Sequence, residues 1–258
     1  MKKIIILLLS MIILFSSGIY SKENIINIGI QMDINNAFRE NIKWSPDSDK
    51  IGVILNKVLF IIDKNGKIVH EIKRDFKYNN SKLEWIDTNI VAFTYSDKLE
   101  LLNLKTDESK IFTIGYAPFS ISYNDKRKEF AISSDYKIRL LDIETGEFRI
   151  IGENEFFSLY FIDQKNNIGY FMAGIGREYG GPPLRVVEMN LETLKIKEYE
   201  EPDNKLRIDG YEVDPNIRKK YYWSDNKSSI IVFLSPDLES AFVVDDEGAR
   251  MIRNLSSN

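Results

Sequence analysis

Residues 42–55 read IKWSPDSDKIGVIL, and this stretch decides the fold because its pattern recurs along the chain. It starts with a short strand that Trp44 closes. A polar turn follows, in which proline presets the backbone angle and aspartate caps the bend. The apolar run after the turn predicts a buried strand. The stretch therefore predicts a strand, a tight turn and a second strand.

Four further copies of this unit follow the first. They read LEWIDTNIVAFTY, ISYNDKRKEFAIS, LYFIDQKNNIGYFM and YYWSDNKSSIIVFL, and all four lack the proline. The closing aromatic residues are spaced by 41, 38, 38 and 62 residues, and they are Trp44, Trp85, Tyr123, Phe161 and Trp223. Aromatic side chains of this size are suited to filling the space between packed sheets, so we expect them in the core.

A second pair of apolar strands follows each copy, as in VLFIIDKNGKIVHEI after the first. Asn65-Gly66 and Thr145-Gly146 supply the positive backbone angles that such hairpin turns need. Four strands in about 40 residues are typical of a propeller blade. The sequence therefore predicts an all-β fold, a β-propeller of five four-stranded blades. The alternative is six blades with the last one incomplete.

The stretch WSPDSDKI at 44–51 resembles the WD-like repeats of TolB-type bacterial β-propellers. The resemblance extends over about residues 42–255, and it covers the propeller only, without the separate N-terminal domain of TolB. It implies a propeller fold. It does not carry over the activity of the family.

The N-terminus predicts an export signal. Lys2 and Lys3 precede the apolar run IIILLLSMIILF, and small residues follow, with cleavage expected after Gly18 or Ser21. The alternative is an uncleaved membrane anchor, because residues 4–21 form 18 uncharged positions, the lower limit for a span. We assign residues 1–21 to the signal, 22–41 to an N-terminal strand or latch, and 42–258 to the propeller. The expected location is extracytoplasmic, either periplasmic or secreted.

Composition excludes several classes of chemistry. The 258 residues contain no cysteine and one histidine, which excludes disulfides, thiolate nucleophiles, thiolate zinc sites and clusters of several histidines. The net charge is −4, with lysine and glutamate mixed along the chain, so no electrostatic footprint for nucleic acid is present. We expect no cofactor, no metal site and no nucleic-acid partner. Membrane contact is expected only through an uncleaved anchor.

Long insertions point to one face of the predicted disc. Turns between second and third strands emerge on the same face as the links between blades, and binding residues concentrate on such loops. The insertions at 173–184 and 200–219 both fall there, in neighbouring sectors, and the link that follows the first blade lies on the same face. A solvated hairpin and a slack connector are the alternative interpretation. The predicted binding-surface residues are Arg177, Glu178, Tyr179, Arg207, Asp209, Tyr211, Arg74, Phe76 and Tyr78.

Catalytic residues are scarce in the pattern. His70, the only histidine, falls on an outer strand. The residues that precede the closing aromatics should line the central channel, and of Lys43, Glu84, Ser122, Tyr160 and Tyr222 only Glu84 is acidic. A glycosidase needs two suitably spaced carboxylates, and a neighbouring lysine could pair with Glu84.

The sequence therefore predicts no catalytic residue. It favours an exported, non-catalytic propeller whose partner is an envelope or extracellular protein, a peptide or a glycan. The alternative is a glycosidase-like or lactonase-like enzyme that uses the central channel, with Glu84 as its single candidate residue.

Overall fold

The computed structural model describes residues 25–30, 41–76, 81–134, 137–153, 156–163, 167–173, 185–198, 230–237, 239–245 and 248–253. Within these ranges the chain forms twenty strands in five antiparallel four-stranded sheets. The strands are β1 (Ile25–Asn27), β2 (Ile42–Trp44), β3 (Lys50–Leu55), β4 (Val58–Asp63), β5 (Ile68–Lys73), β6 (Leu83–Trp85), β7 (Ile90–Tyr95), β8 (Lys98–Asn103), β9 (Ser109–Thr113), β10 (Ser120–Asn124), β11 (Glu129–Ser134), β12 (Lys137–Asp142), β13 (Phe148–Glu153), β14 (Phe156–Asp163), β15 (Ile168–Ala173), β16 (Arg185–Asn190), β17 (Ile196–Glu198), β18 (Ile230–Leu234), β19 (Ser240–Asp245) and β20 (Gly248–Arg253).

Four of the sheets follow the chain in order, as β2 to β5, β6 to β9, β10 to β13 and β14 to β17. The all-β prediction and the repeat of four antiparallel strands are thus confirmed. The remaining sheet has the order β1-β20-β19-β18, with Ile25 opposite Ile252. A strand from the N-terminal part of the chain therefore forms the outer edge of the C-terminal sheet.

The first strands of successive sheets contact one another in the order β18, β2, β6, β10 and β14. Apolar clusters fill the spaces between sheets, with Phe93 and Trp85 in one and Phe130 and Tyr123 in the next. Since both faces of the inner strands are covered, these strands are apolar along most of their length, and β11 is buried at every position. The expected core role holds for Trp85 and Tyr123, which are 6% and 4% exposed, whereas Trp44 is only partly buried against the cluster between the last and first sheets.

The serine-proline-aspartate turn after β2 is closed by a network of side-chain hydrogen bonds. Ser45 Oγ lies 2.6 Å from Asp47 Oδ1 and accepts a hydrogen bond from Lys50 N at 3.0 Å. The same network recurs after β18, where Ser235 Oγ lies 2.5 Å from Asp237 Oδ1 and accepts from Ser240 N at 2.9 Å. Ser235-Pro236-Asp237 is therefore a second copy of the serine-proline-aspartate turn.

This second copy corrects the sequence assignment of the last unit. The sequence analysis placed the closing aromatic at Trp223, which lies outside the described residues, and took residues 230–234 as a second strand. In the structure β18 holds the position of a first strand, because Trp44 Nε1 donates to Phe233 O at 2.9 Å just as Trp85 Nε1 donates to Lys43 O at 2.9 Å. The run that starts at Ala249 would be the outer strand if 230–234 were the second, but in the structure it lies in β20, the third strand, with β1 outside it.

The turns between third and fourth strands also share one chemistry. Asp63 Oδ1 accepts from the backbone N–H groups of Asn65 and Lys67, both at 2.9 Å, and equivalent bonds recur at Asn103, Asp142 and Asn190. Each turn then needs a residue with positive φ. Gly66 at +78° and Gly146 at +79° meet this need as predicted, whereas Leu194 adopts +56° with a full side chain.

Candidate functional site

The two ends of the sheets form distinct faces. On one face the links between sheets meet the turns between second and third strands, since Arg74 N donates to Lys57 O and Ile114 N donates to Asp97 O. We call this the link face. On the opposite face, which we call the turn face, the two other kinds of turn meet, as when Lys64 N donates to Asp49 O.

Most of the predicted binding-surface residues fall outside the described part of the chain. Arg177, Glu178, Tyr179, Arg207, Asp209, Tyr211 and Tyr78 all do, so their placement remains a prediction. Arg74 and Phe76 are described, and both lie where the first sheet links to the second.

Arg74 is held by a carboxylate between the first two sheets. Its guanidinium donates to both oxygens of Glu100, from Nε at 2.8 Å and from Nη2 at 2.7 Å. The Glu100 side chain is fully buried, and Ser109 Oγ donates to it at 2.7 Å. Burial raises the pKa of Glu100, but the hydrogen bonds from Arg74 and Ser109 outweigh burial and leave this pKa below its ordinary value.

The pairing with Glu100 also stabilises the charged form of Arg74. The hydrogen bonds to Glu100 raise the pKa of Arg74, and a third guanidinium nitrogen donates to Lys73 O at 2.9 Å. All three guanidinium nitrogens therefore have partners within the chain. The Arg74 guanidinium therefore holds the link in place and is not available for a two-pronged hydrogen bond to a ligand.

Phe76 is a core residue. It is 4% exposed, and its ring centroid lies 5.7 Å from that of Phe93 and 6.2 Å from that of Tyr95. Burying the Phe76 ring between two sheets stabilises the fold more than leaving it exposed on the link. The sequence of the link does not reveal whether the ring is buried or exposed. Phe76 therefore presents no aromatic surface to solvent.

The structure exposes two other aromatic residues on the link face, which the sequence analysis did not single out. Tyr116 is 55% exposed and Phe119 is 46% exposed, both on the link between β9 and β10. The signal in the sequence is GYAPF at 115–119, a short link that places two aromatic residues around a proline.

This aromatic link is anchored at both ends. Ile114, 5% exposed, is part of the apolar cluster between the second and third sheets, and its N–H donates to Asp97 O at 2.7 Å. At the other end Phe119 N donates to Ser133 O at 2.8 Å. Gly115 adopts a φ of +84°, which turns the chain outward between the anchors.

Charged residues of both signs lie on the described link face. The acidic residues in its described turns, links and adjoining strand ends are Asp75, Asp97, Glu153 and Asp245, and Glu153 lies opposite Lys137 in the sheet. The basic ones are Lys57, Lys73, Arg74, Lys82, Lys98, Lys137 and Arg185. Arg139 also reaches this face, where Nη1 donates to Ser134 Oγ at 2.6 Å.

On the turn face Lys64 is paired with Asp49 at 2.6 Å. The pKa of Lys64 is raised, first by this hydrogen bond to Asp49 and also by the charges of Asp237 and Asp47. The pair lies near the contact between the first and last sheets, where Asp237 N donates to Ser48 Oγ at 3.1 Å.

The channel positions contain one described ion pair. Lys43 Nζ lies 2.5 Å from Glu84 Oε2, which confirms the predicted pairing of Glu84 with a neighbouring lysine. The equivalent residues in the third and last sheets are Ser122 and Phe233, and neither carries a carboxylate. Phe233 replaces the predicted Tyr222, which lies outside the described residues.

His70 lies in β5, the outermost strand of the first sheet. Its Nδ1 is 3.9 Å from Asp107 Oδ1, at the rim between two sheets and away from the channel. Among the described residues, no group of three or more histidine, aspartate or glutamate side chains converges as a metal site would require. The described residues also contain no helix long and apolar enough to cross a membrane.

Comparison with known proteins identifies the architecture. The chain matches no protein-family model and no curated protein at a significant level. Among solved structures it is similar to the propeller domain of Cps50 (Swd1) from Myceliophteria thermophila, with a TM-score of 0.51 and 10% identity over 80% of this chain. The fold is a β-propeller.

Two other solved structures are similar at lower scores. They are the tricorn protease, with a TM-score of 0.48 and 13% identity over 87% of this chain, and the WD40 repeats of RRP9, with 0.48 and 10% over 69%. The chain spans 20% of the tricorn structure, 55% of the RRP9 structure and 62% of the Cps50 structure. At such identities the likeness concerns the fold and not the activity.

Proposed function

We propose that this protein is an exported bacterial propeller of the TolB-like kind that binds another envelope or extracellular protein through its link face, without catalysis. The observation that carries the proposal is the ion pair in the channel. Glu84 is the one acidic side chain at the described channel positions, and its carboxylate is engaged by Lys43 at 2.5 Å. Glycoside hydrolysis through the channel needs a second carboxylate at a set distance from the first.

The link face, unlike the channel, carries exposed residues of a kind that is common in protein-binding surfaces. Binding residues in rigid folds concentrate on loops that the scaffold positions, and exposed aromatic residues are enriched at protein interfaces. Tyr116 and Phe119 are such residues, and the link that carries them is anchored to the sheets on both sides. The insertions at 173–184 and 200–219 belong to the same predicted face and enlarge it in this proposal.

Export is compatible with the position of β1. Both expected cleavage sites, after Gly18 and after Ser21, precede Ile25, the first residue of β1. Removal of the signal at either site would leave the outer strand of the C-terminal sheet intact. The prediction is checked by the mass of the mature chain recovered from the extracytoplasmic fraction.

Face-resolved photo-cross-linking in the native envelope tests the binding proposal. A photoreactive phenylalanine analogue replaces Asp75 on the link face, and in a matched variant it replaces Lys105 on the turn face; both positions are exposed. We expect the Asp75 variant to yield a specific cross-linked protein and the Lys105 variant to yield none.

Two results would contradict the proposal. One is equal cross-linking from both faces. The other is the absence of any cross-linked protein from the link face in cells that export the folded chain. Hydrolysis of a sugar or lactone substrate that is lost in Glu84→Gln, with the fold retained, would favour the enzyme instead.

A further inference from the structure

We propose that two copies of this chain pair through β13, the outer strand of the third sheet, so that one continuous sheet runs through both molecules. The pairing uses the open edge of this strand and not the link face. The inference therefore goes beyond the proposed function and does not rest on it.

The first step is a comparison of the outer strands. Such strands present backbone groups without a ladder partner, and proteins guard these edges by short length or by charged side chains. β1 and β17 have only three residues each. β5 exposes Glu71 and Lys73, and in β9 Lys110 lies beside Ile111 and donates to Ile143 O at 2.6 Å. Four of the five outer strands are therefore protected in one of these ways.

β13 lacks both kinds of protection over its first three residues. Phe148 and Ile150 are 40% and 48% exposed, and as alternate residues of a strand they lie on the same face. Arg149 is the charged residue between them, and its Nη2 donates to both oxygens of Glu129, at 3.3 Å and 3.2 Å. This charge is held against its own sheet, so the start of β13 presents an apolar edge.

The second step is the direction of the backbone groups. Asp142 N donates to Glu147 O at 3.0 Å, and bonded and non-bonded pairs alternate along an antiparallel ladder. In the register of β12 with β13 the next bonded pair therefore contains Arg149. The N–H and C=O groups of Phe148 and Ile150 consequently point away from β12, towards the open edge.

These two residues define one register for a symmetric pair. In antiparallel pairing about a two-fold axis at Arg149, Phe148 of each copy lies opposite Ile150 of the other, and the two exchange backbone hydrogen bonds. Every outward N–H and C=O group of the two residues then has a partner. The register shift in β13 directly after Ile150 ends the ladder at that point.

The side chains agree with this register. Phe148 lies across from Ile150 of the second copy, and such pairs of an aromatic and a β-branched residue stabilise paired strands. On the opposite face the two copies of Arg149 meet. Each is neutralised by its own Glu129, and each is the diagonal neighbour of the exposed Glu147 of the other copy. The edge is therefore complementary to itself, as a two-fold interface requires.

The geometry also sets the strength and the shape of the dimer. The paired stretch is short, so we expect a weak dimer that dissociates on dilution. β13 runs from the turn face to the link face, and the strand of the second copy runs the opposite way. The two link faces therefore point in opposite directions, and the dimer presents one on each side.

Analytical ultracentrifugation of the mature chain tests the dimer. We expect the average mass to rise from that of one copy towards that of two as the concentration increases. Phe148→Lys with Ile150→Lys gives β13 the charges that guard other edges, and should weaken dimerisation at least about tenfold, because each change occurs twice in the dimer. Ile111→Lys is the matched control, since Ile111 is 51% exposed on the outer strand β9. This control should dimerise as wild type does, and melting temperatures verify folding.

Disulfide trapping tests the register. The chain has no cysteine, so only introduced thiols can bond. Opposite residues of a bonded pair have Cα atoms about 5.5 Å apart, within the range of a disulfide. A mixture of Phe148→Cys and Ile150→Cys chains should therefore form a linked dimer faster than either variant alone. Phe148→Cys mixed with Ile111→Cys is the control and should not be trapped faster than Phe148→Cys alone.

Photo-cross-linking in the native envelope tests the occupant of the edge. A photoreactive phenylalanine analogue in place of Phe148 changes the side chain little. We expect it to link two copies of the chain. A link to a different protein instead would show that the edge takes a foreign strand, and this would overturn the inference.

Three further results would overturn it as well. They are a mass of one copy at every concentration, undiminished dimerisation of the double lysine variant, and equal trapping in the mixed and the single cysteine samples. In each case a cross-linked protein at Asp75 would leave the proposed function standing. Loss of the Asp75 cross-link would remove the proposed function and leave the dimer to be judged by its mass.

Discussion

Trp85 provides the sharpest test of how the sheets are held together. Its ring is 6% exposed in the apolar cluster between the first two sheets, with Phe93 and Leu83 as cluster members. Its Nε1 donates to Lys43 O at 2.9 Å, which joins the first strands of two neighbouring sheets. The Trp85 side chain therefore contributes both apolar packing and a hydrogen bond between two neighbouring sheets.

The two contributions are separated by two substitutions. Trp85→Ala removes both and should lower the free energy of unfolding by about 3–5 kcal/mol, as for other large-to-small changes in a core. Trp85→Phe keeps most of the ring but removes the donor, so Lys43 O loses its partner in a partly buried position. We expect a loss of about 1–3 kcal/mol for this change.

Urea denaturation of the mature chain, followed by circular dichroism, measures both values, with the dependence on urea concentration required to stay constant. Trp44 is the matched control, because it makes the same kind of bond to Phe233 O but its ring is only partly buried. We expect Trp44→Ala to fall at or below the lower end of the same range, about 3 kcal/mol. A loss below about 0.5 kcal/mol for Trp85→Phe, no more than a routine surface substitution costs, would refute the role of the inter-sheet hydrogen bond.

Three further changes test other parts of the fold. Because the pKa of Glu100 is depressed in the folded chain, its contribution to stability is present above its ordinary pKa of 4.5 and is lost as the pH falls through the lower folded value. Glu100→Gln should therefore lower the melting temperature at pH 7 and flatten its fall between pH 5 and pH 3; an equally steep fall would contradict this. Leu194→Asn should raise stability by about 0.5–1 kcal/mol, because asparagine tolerates the φ of +56° better than leucine does. A lower melting temperature would contradict that. Deletion of residues 22–27 should lower the melting temperature by several degrees, whereas deletion of 22–24 alone should not, since only the longer deletion removes β1; equal effects would contradict a closing role for β1.

Much of the architecture follows from local pattern. The alternation of apolar runs and aspartate-rich turns predicts strands and hairpins, because turn chemistry acts over a few residues. Gly66 and Gly146 have positive φ as predicted, and the aspartate of each turn accepts the backbone bonds that its position requires. Trp85 and Tyr123 are buried because large rings fill the spaces between sheets.

Register in the last sheet did not follow from the same pattern. An apolar run such as residues 230–234 fits a first or a second strand equally well, since both are buried. The hydrogen bond from Trp44 Nε1 to Phe233 O settles that it is a first strand, and this bond depends on how two sheets far apart in the sequence pack together. The pairing of β1 with β20 joins residues more than two hundred positions apart, and local composition does not encode that choice.

The candidate site divides in the same way. The sequence by itself determined the four-strand repeat and placed a single acidic residue, Glu84, among the predicted channel residues, because these depend on residue types and their spacing; the binding face that it predicts stays a prediction. Only the tertiary structure decided that Phe76 packs inward, that Arg74 is held by Glu100, and that Tyr116 and Phe119 face solvent. The direction of a side chain on a link depends on which neighbouring sheet covers it, and this covering is a property of the assembled ring.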